Sequence, residues 1–579
     1  MSDDQLPAPP ELGLPTKFSK WRPGQEEAIL DALLSDKRFM IQAAPTGSGK
    51  SIMYVARAIL AGARTAFLTS TKALQDQLAN DFGGIGLFDM RGLSNYRCVA
   101  LEKGGQFYNE AMDKQRRKVR GDRPPTCDEG PCHSGAKCDK LKEGGCYYYD
   151  AVKVATHSQL VVTNYQYWMA INRYSEGGLG KFDLLVMDEA HDAPDELADF
   201  IKVEIFDWEA EWLGDNLDQH DISREDWVEW ALFHFPRAEA ELKNLQADVV
   251  AMGSLVSNKL LHRTKQQKNL VSKLQELSAA TRWRSEDAHT KNAFIVGMQQ
   301  DWIAERIEPK GDYKSRRNSG GIRFSPIWGT GYAEPYLFCG TKKVLMVSAT
   351  VRPKTVQYLG LEEGSYDFIE YKTRFPKERR PVTFLRDAPR IDRKTRDDGF
   401  REWVRMIDRI IKPRLDRKGL IHAVSYRRAE QILTASNHSE YMLVHNTAST
   451  KSTVRTFKEA EPPAILVSPS LSTGWDFPYT DCEYIIIVKI PFIDASSRLN
   501  KARAATDPQY ANYLAMLSLV QSAGRGMRAS DDQCEVFIVD GHADWFLNKN
   551  RRFAPKWFNT SITRTGIQPR PLPKLEDPR

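Results

Sequence analysis

The 579-residue sequence has no long hydrophobic run. Its longest, "YIIIVKIPFI" (484–493), is interrupted by Lys489, is too short to span a bilayer, and reads as a buried strand. The opening "MSDDQLPAPPELGLP" has no basic region followed by an apolar one, so no signal peptide is expected. There is little excess of one charge. Lys and Arg number 82 against 76 Asp and Glu, a net +6 that permits a nucleic-acid partner without arguing for one. No repeat recurs at solenoid periods. Cysteine is scarce, eight in all, yet five fall between Cys98 and Cys146. These absences exclude a membrane-spanning or secreted, disulfide-stapled protein and predict a cytoplasmic globular one with no membrane partner. In that compartment clustered thiols favour metal over disulfide.

What is present is an alternation of short apolar runs with helical patterns, the mark of parallel α/β layers. Strands are expected at 39–44, 65–70, 160–164, 183–188 and 343–349, and a second set at 419–425, 441–446, 464–470, 484–490 and 534–540. Two such sets predict two similar α/β domains in tandem. Residues 91–150, rich in Gly, Cys and charge, break the first set as an insertion. Residues 192–330 break it again with long helical patterns such as "AELKNLQADVVAMGSLVSNKLL" (240–261). The tail "IQPRPLPKLEDPR" is Pro-rich and expected to be extended.

"AAPTGSGKS" (43–51) follows an apolar strand and precedes a helix, which is the full context of a P-loop. Gly47 and Gly49 let backbone N–H groups turn towards phosphate oxygens, with Pro45, Thr46 and Ser48 completing the loop. Lys50 reaches the β/γ-phosphates, and the Ser51 hydroxyl ligates Mg²⁺. "LLVMDEAH" ends a strand in Asp188, placed to take Mg²⁺, and Glu189, placed to position or deprotonate the attacking water. Alone, such a pair is an ordinary solvated strand end; with a P-loop in the same half it reads as an ATPase. "QSAGRGMR" (521–528) puts Arg525 and Arg528 three apart on an expected helix, where both can face developing phosphoryl charge.

In order along the chain these segments resemble the motifs of a superfamily-2 helicase, and more narrowly the XPD/DinG family of iron–sulfur, DEAH-box DNA helicases. "WRPGQ" (21–25) resembles the motif whose glutamine reads adenine, pointing to Gln25. "AAPTGSGKS" stands as motif I, "FLTSTKALQDQL" (67–78) as motif Ia and "VVTNYQYW" (161–168) as the family's Asn-Tyr segment. "DEAH" (188–191) stands as motif II, "SAT" (348–350) as motif III and "LIHAVSYRRAEQI" (420–432) as motif IV. "STGWDFP" (472–478) stands as motif V and "QSAGRGMR" as motif VI. The resemblance implies two RecA-like P-loop domains closing on ATP, with Gly474, Asp476, Gln521, Arg525 and Arg528 supplied by the second. His191, Ser348 and Thr350 would couple the ATP state to the nucleic-acid groove. The expected segments are motor domain 1 at 1–90, 151–195 and 326–375, a Cys-rich insertion at 91–150, a helical arch-like insertion at 196–325, motor domain 2 at 376–560 and a tail at 561–579.

The same resemblance implies 5′-to-3′ movement on single-stranded DNA and unwinding of forked or tailed duplexes, by a protein expected to be a monomer. Movement on RNA or an RNA–DNA hybrid, or remodelling of protein–nucleic acid complexes without strand separation, is the rival enzyme reading. A decayed, binding-only scaffold is the rival from another class, opposed by the intact Lys50, Asp188, Glu189, Arg525 and Arg528. "DKQRRKVRGDR" (113–123) is a basic run of the kind that attracts phosphates, although most such runs are solvated loops.

The cysteines fall between motifs Ia and II, where the family carries a four-cysteine [4Fe–4S] domain. "LSNYRC" resembles its first ligand segment, giving Cys98, and "CYYYDAVKVA" its last, giving Cys146. The middle pair comes from Cys127, Cys132 and Cys138; Cys132 and Cys138 are preferred as nearest Cys146, with Cys127 as the substitute. By spacing alone Zn²⁺ is equally served, since four Cys, or three with His133, suit it.

Overall fold

The computed structural model describes residues 6–280, 282–283, 301–309, 319–391, 395, 397–446, 449–469, 475, 477–527, 531–565 and 570–574. Two seven-stranded, all-parallel sheets carry the architecture. Both are flanked by helices, so their strands are buried on both faces and read as unbroken apolar runs such as Tyr484–Ile487.

The first sheet runs Tyr366–Glu370, Phe39–Ala43, Lys343–Ser348, Leu184–Asp188, Thr65–Thr69, Leu160–Asn164, Leu87–Asp89. All five strands expected from the sequence are present. The register places Ala43 opposite Ser348, and Val347 opposite Asp188. The P-loop, the Ser-Ala-Thr segment and the Asp-Glu pair therefore leave three adjacent strands at one carboxyl edge, where open α/β sheets bind ligands.

The second sheet runs Met442–Val444, Ala464–Ser468, Lys418–His422, Tyr484–Ile487, Glu535–Ile538, Val382–Leu385, Ile562–Thr565. It too contains the five expected strands and two more. The strand Ile562–Thr565 lies at the start of the expected 561–579 tail and forms one edge of this sheet. Arg414, fully buried, reaches Glu535 with two hydrogen bonds of 2.8 Å, pinning the helix before the sheet to a central strand.

The insertions have more regular structure than the sequence pattern suggests. The Cys-rich segment holds helices Glu110–Arg120 and Tyr147–His157, so most of the basic run is helical rather than loop. The segment expected to be helical has two long antiparallel helices, Trp227–Met252 and Asn258–Ser278, plus a four-stranded sheet ordered Val203–Phe206, Gly321–Pro326, Asp301–Ile307, Arg282–Trp283. Val249, Val256 and Leu261 around the helical hairpin share one apolar core with Cys127 and Cys138.

The other end of this insertion grips the second domain. Glu305 Oε1 accepts hydrogen bonds from Ser497 Oγ (2.7 Å) and Leu499 N (3.2 Å), at the start of helix Arg498–Thr506. Ile303, Ile327 and Ala502 close an apolar contact beneath it. No described helix is long and apolar enough to cross a membrane.

Candidate functional site

The P-loop conformation follows from its glycines. Gly47 and Gly49 have φ of 74° and 75°, the left-handed region that L side chains avoid, and Gly49 ends the loop where helix Lys50–Leu60 begins. A Cβ on Gly49 would stand 2.5 Å from Gln25 Nε2. Gln25 is buried here with both ends of its amide engaged. Nε2 donates to Ser48 O at 2.8 Å, and Oε1 accepts from Arg22 N at 2.8 Å. In this geometry Gln25 braces the loop's backbone. Among the described residues Ser48 Oγ is buried with no hydrogen-bond partner, a donor of the kind a phosphate oxygen satisfies.

Asp188 is 6% exposed at the end of its strand. Its Oδ1 accepts from Glu189 N at 3.0 Å and its Oδ2 from Tyr54 Oη at 3.2 Å. Tyr165 Oη donates to its backbone carbonyl at 3.0 Å. Burial, reinforced by the neighbouring Glu189 charge, raises the Asp188 carboxyl against the pull of Lys50. Glu189 has φ 48°, a left-handed position rare for a side chain of this size, and it turns the carboxylate out of the strand line.

His191, Ser348 and Glu189 form a relay. His191 Nδ1 lies 2.7 Å from Ser348 Oγ, which donates to Glu189 Oε2 at 3.1 Å; Thr350 N donates back to Ser348 Oγ at 3.2 Å. Burial alone would lower the His191 pKa, but Asp192 and Glu189 override it and hold the imidazolium to about 10. Burial likewise opposes ionisation of Glu189. The charge of Lys50 and the hydrogen bonds from His191 and Ser348 outweigh it, keeping the carboxylate well below its usual range. At neutral pH the arrangement is a charged base held by a charged histidine.

The second sheet meets this site through the turn after helix Tyr510–Ala523. Gln521 is in the helix's last turn, and its carbonyl accepts from Gly524 N at 3.2 Å. A Cβ on Gly524 would stand 3.8 Å from Thr46 Oγ1 of the P-loop. Arg525 follows, its Nη1 donating to Trp475 O at 3.0 Å. The helix ends at Ala523, so Arg525 lies on the turn and not on the expected helix. Burial, then the nearby Arg525 cation, lowers His422 to about 4, so His422 is neutral. Arg528, Gly474 and Asp476 lie outside the described residues.

Cys98, Cys127, Cys132, Cys138 and Cys146 all line one small cavity in the Cys-rich insertion, and all are free thiols. Gly130 passes between two of them: a Cβ there would stand 3.2 Å from Cys132 Sγ and 3.6 Å from Cys98 Sγ. Cys127 Sγ donates to Arg97 O at 3.2 Å. Among the described residues, however, no three His, Cys, Asp or Glu side chains are set to hold a metal ion as they stand. His133 is on the cavity wall.

The residues missed from sequence are Tyr54 and Tyr165. Tyr54 had a usable signal, since it follows Ser51 by three and must share its helix face. Tyr165 sits in a quoted motif, but only the fold turns its hydroxyl to the Asp188 carbonyl.

Comparison with known proteins now has a geometry to attach to. A model described as the type III restriction enzyme res subunit matches residues 18–211, and one for a helicase C-terminal domain matches 410–561. The ATP-dependent DNA helicase YoaA of Haemophilus influenzae is 29% identical over 202 residues, 28% of this chain and 31% of that one. YoaA of Escherichia coli is 28% identical over 209 residues, 29% and 32% of the two chains. The chain thus spans about a third of the length of the curated relatives it matches. A solved XPD helicase superposes with a TM-score of 0.58 at 16% identity, covering 94% of this chain and 100% of that one. The S. tokodaii Xpd4 structure gives 0.54 at 13%, with the same coverage. The likeness in fold to the solved XPD helicases takes in both sheets, and in sequence the chain is similar over part of its length to ATP-dependent DNA helicases.

Proposed function

We propose that this protein is an ATP-dependent DNA helicase that moves 5′ to 3′ on single-stranded DNA and opens forked or tailed duplexes. The observation that carries the reading is the approach of Gly524, the residue before Arg525 in the second domain, to Thr46 of the P-loop, with Glu189 at the neighbouring strand end. Two RecA-like domains meeting over one phosphate-binding loop form a site that is complete only when closed. Lys50 and Arg525 would neutralise charge on the transferring phosphoryl group, Glu189 would orient and deprotonate water, and Gln25 would hold the loop. Arg528, Gly474, Asp476 and Gln521 are assigned to the second half of the site on the motif resemblance. Bound Mg²⁺, held through Ser51 and Asp188, would supply charge neutralisation at the β- and γ-phosphates. His191, Ser348 and Thr350 would report that state to the DNA-binding face.

We assign 91–150 as an iron–sulfur module and 196–325 as an arch. Five thiols around one cavity suit a cluster that takes four. Cys98, Cys132, Cys138 and Cys146 would hold it, and the commitment of Cys127 to the Arg97 carbonyl supports its being the spare. A [4Fe–4S] cluster bound there would supply rigidity to a module with little core of its own. A cavity of about 790 Å³ between the two insertions, with Arg116, Lys259 and Lys265 on its wall, is offered as the passage for one strand.

Adding single-stranded DNA should raise ATP turnover several-fold, and a 5′-tailed duplex should be opened in ATP but not in a non-hydrolysable analogue. Stimulation by RNA alone would move the reading to an RNA translocase. For the module, anaerobically purified protein should be brown and hold about four irons per chain. Cys146→Ser should lose both colour and iron, and Cys127→Ser should keep them. A colourless protein with stoichiometric zinc would replace the cluster with a structural Zn²⁺ site.

A further inference from the structure

We propose that Tyr54 is a positioning residue of the ATP site, its hydroxyl fixing the Asp188 carboxylate in the orientation that serves Mg²⁺ before the ion arrives. The inference rests on the ATPase reading above and adds to it a residue from outside the helicase motifs.

Tyr54 is 1% exposed and lies three residues after Ser51 on the P-loop helix, so the two side chains share a face. Its hydroxyl donates to Asp188 Oδ2 at 3.2 Å. The phenol thus links the P-loop helix that carries Ser51 to the end of the strand that carries Asp188. Asp188 Oδ1 is taken by the Glu189 N–H at 3.0 Å, and Tyr165 holds the Asp188 carbonyl at 3.0 Å. Each end of the carboxylate therefore has one fixed donor, and each oxygen keeps a lone pair for the ion or its water shell. A carboxylate so held does not have to leave an alternative rotamer when metal binds, which is the usual gain from a supporting shell.

A purely structural role is the competing account, because any buried phenol needs a partner. The two separate cleanly. Tyr54→Phe keeps the ring packed on Phe67, 5.6 Å away centroid to centroid, and deletes only the hydroxyl. Tyr371→Phe is the control: it deletes another buried phenol–carboxylate bond of the same domain, 2.7 Å to Asp31, away from the nucleotide. If Tyr54 positions Asp188, Tyr54→Phe should raise the Mg²⁺ midpoint of ATP hydrolysis about tenfold, the scale of supporting-shell losses, with kcat at saturating Mg²⁺ changed less than about threefold. Mn²⁺ binding to the ADP complex, read by electron paramagnetic resonance, should weaken by the same factor. Tyr371→Phe should shift the thermal midpoint and leave metal affinity alone. Unchanged Mn²⁺ affinity in folded Tyr54→Phe overturns the proposal, as does an equal shift in both variants. Failure of the wild type to hydrolyse ATP instead sinks the ATPase reading, while the Mn²⁺–ADP measurement still judges Tyr54.

Discussion

Glu189→Gln is expected to cut ATP turnover about 10³-fold, within the range general-base catalysis contributes, while nucleotide binding survives. Glu189 leaves the strand in a left-handed conformation, φ 48°, which costs on the order of 1 kcal/mol and persists because Ser348 and His191 hold the carboxylate from the far side. Lys50 and the His191 imidazolium keep it ionised against its burial. Glutamine has nearly the same shape and can still accept from Ser348, so folding and ATP affinity should persist. It cannot take a proton. Phosphate release under steady state, set beside the binding of a fluorescent ATP analogue, checks both halves. Turnover within tenfold of the wild type would remove Glu189 from the chemistry.

Arg525→Ala should cost a comparable factor, about 10³, the lower end of what a transition-state arginine supplies. Arg525 stands on the turn that follows helix Tyr510–Ala523, one residue from the glycine that abuts Thr46. Its Nη1 is tied to the Trp475 carbonyl, and burial with the nearby Arg525 cation keeps His422 neutral. Arg525→Lys should recover less than a tenth of the lost rate, because an ammonium keeps the charge but not the planar fork. The same phosphate-release assay decides it, with single-turnover kinetics separating chemistry from product release. A full-rate Arg525→Ala would leave the second sheet without a catalytic group among the described residues.

Most central strands were legible and three of the four missed strands are edges, but the buried interior strand Val382–Leu385 was missed and the edge strand Met442–Val444 was found. Runs such as Leu184–Asp188 and Tyr484–Ile487 are buried on both sides and announce themselves by apolar continuity. Tyr366–Glu370 and Ile562–Thr565 are half-exposed edge strands, short and mixed in polarity, and nothing local distinguishes them from loops. The site divides the same way. Lys50, Ser51, Asp188 and Glu189 are local signals, readable because phosphate binding needs a fixed spacing. The Gly524–Thr46 approach joins residues far apart in sequence, and only the fold reveals it. The helix expected through Arg525 failed for a local reason: Gly524 and Gly526 flank the arginine and stop the helix one turn early. The five thiols were legible as a group, and the fold gathers all five around one cavity, while spacing along the chain gave no means of ranking them.

The grip of Glu305 on helix Arg498–Thr506 has a mechanical consequence. The insertion that carries Glu305 packs its far end on the Cys-rich segment, which in turn shares its core with the first sheet. The molecule is therefore a closed linkage: first sheet, nucleotide cleft, second sheet, strut, Cys-rich module and first sheet again. In a closed linkage no joint turns alone. Any opening of the cleft would have to be matched by a displacement at one of the other joints, the contact between the strut and the Cys-rich segment among them.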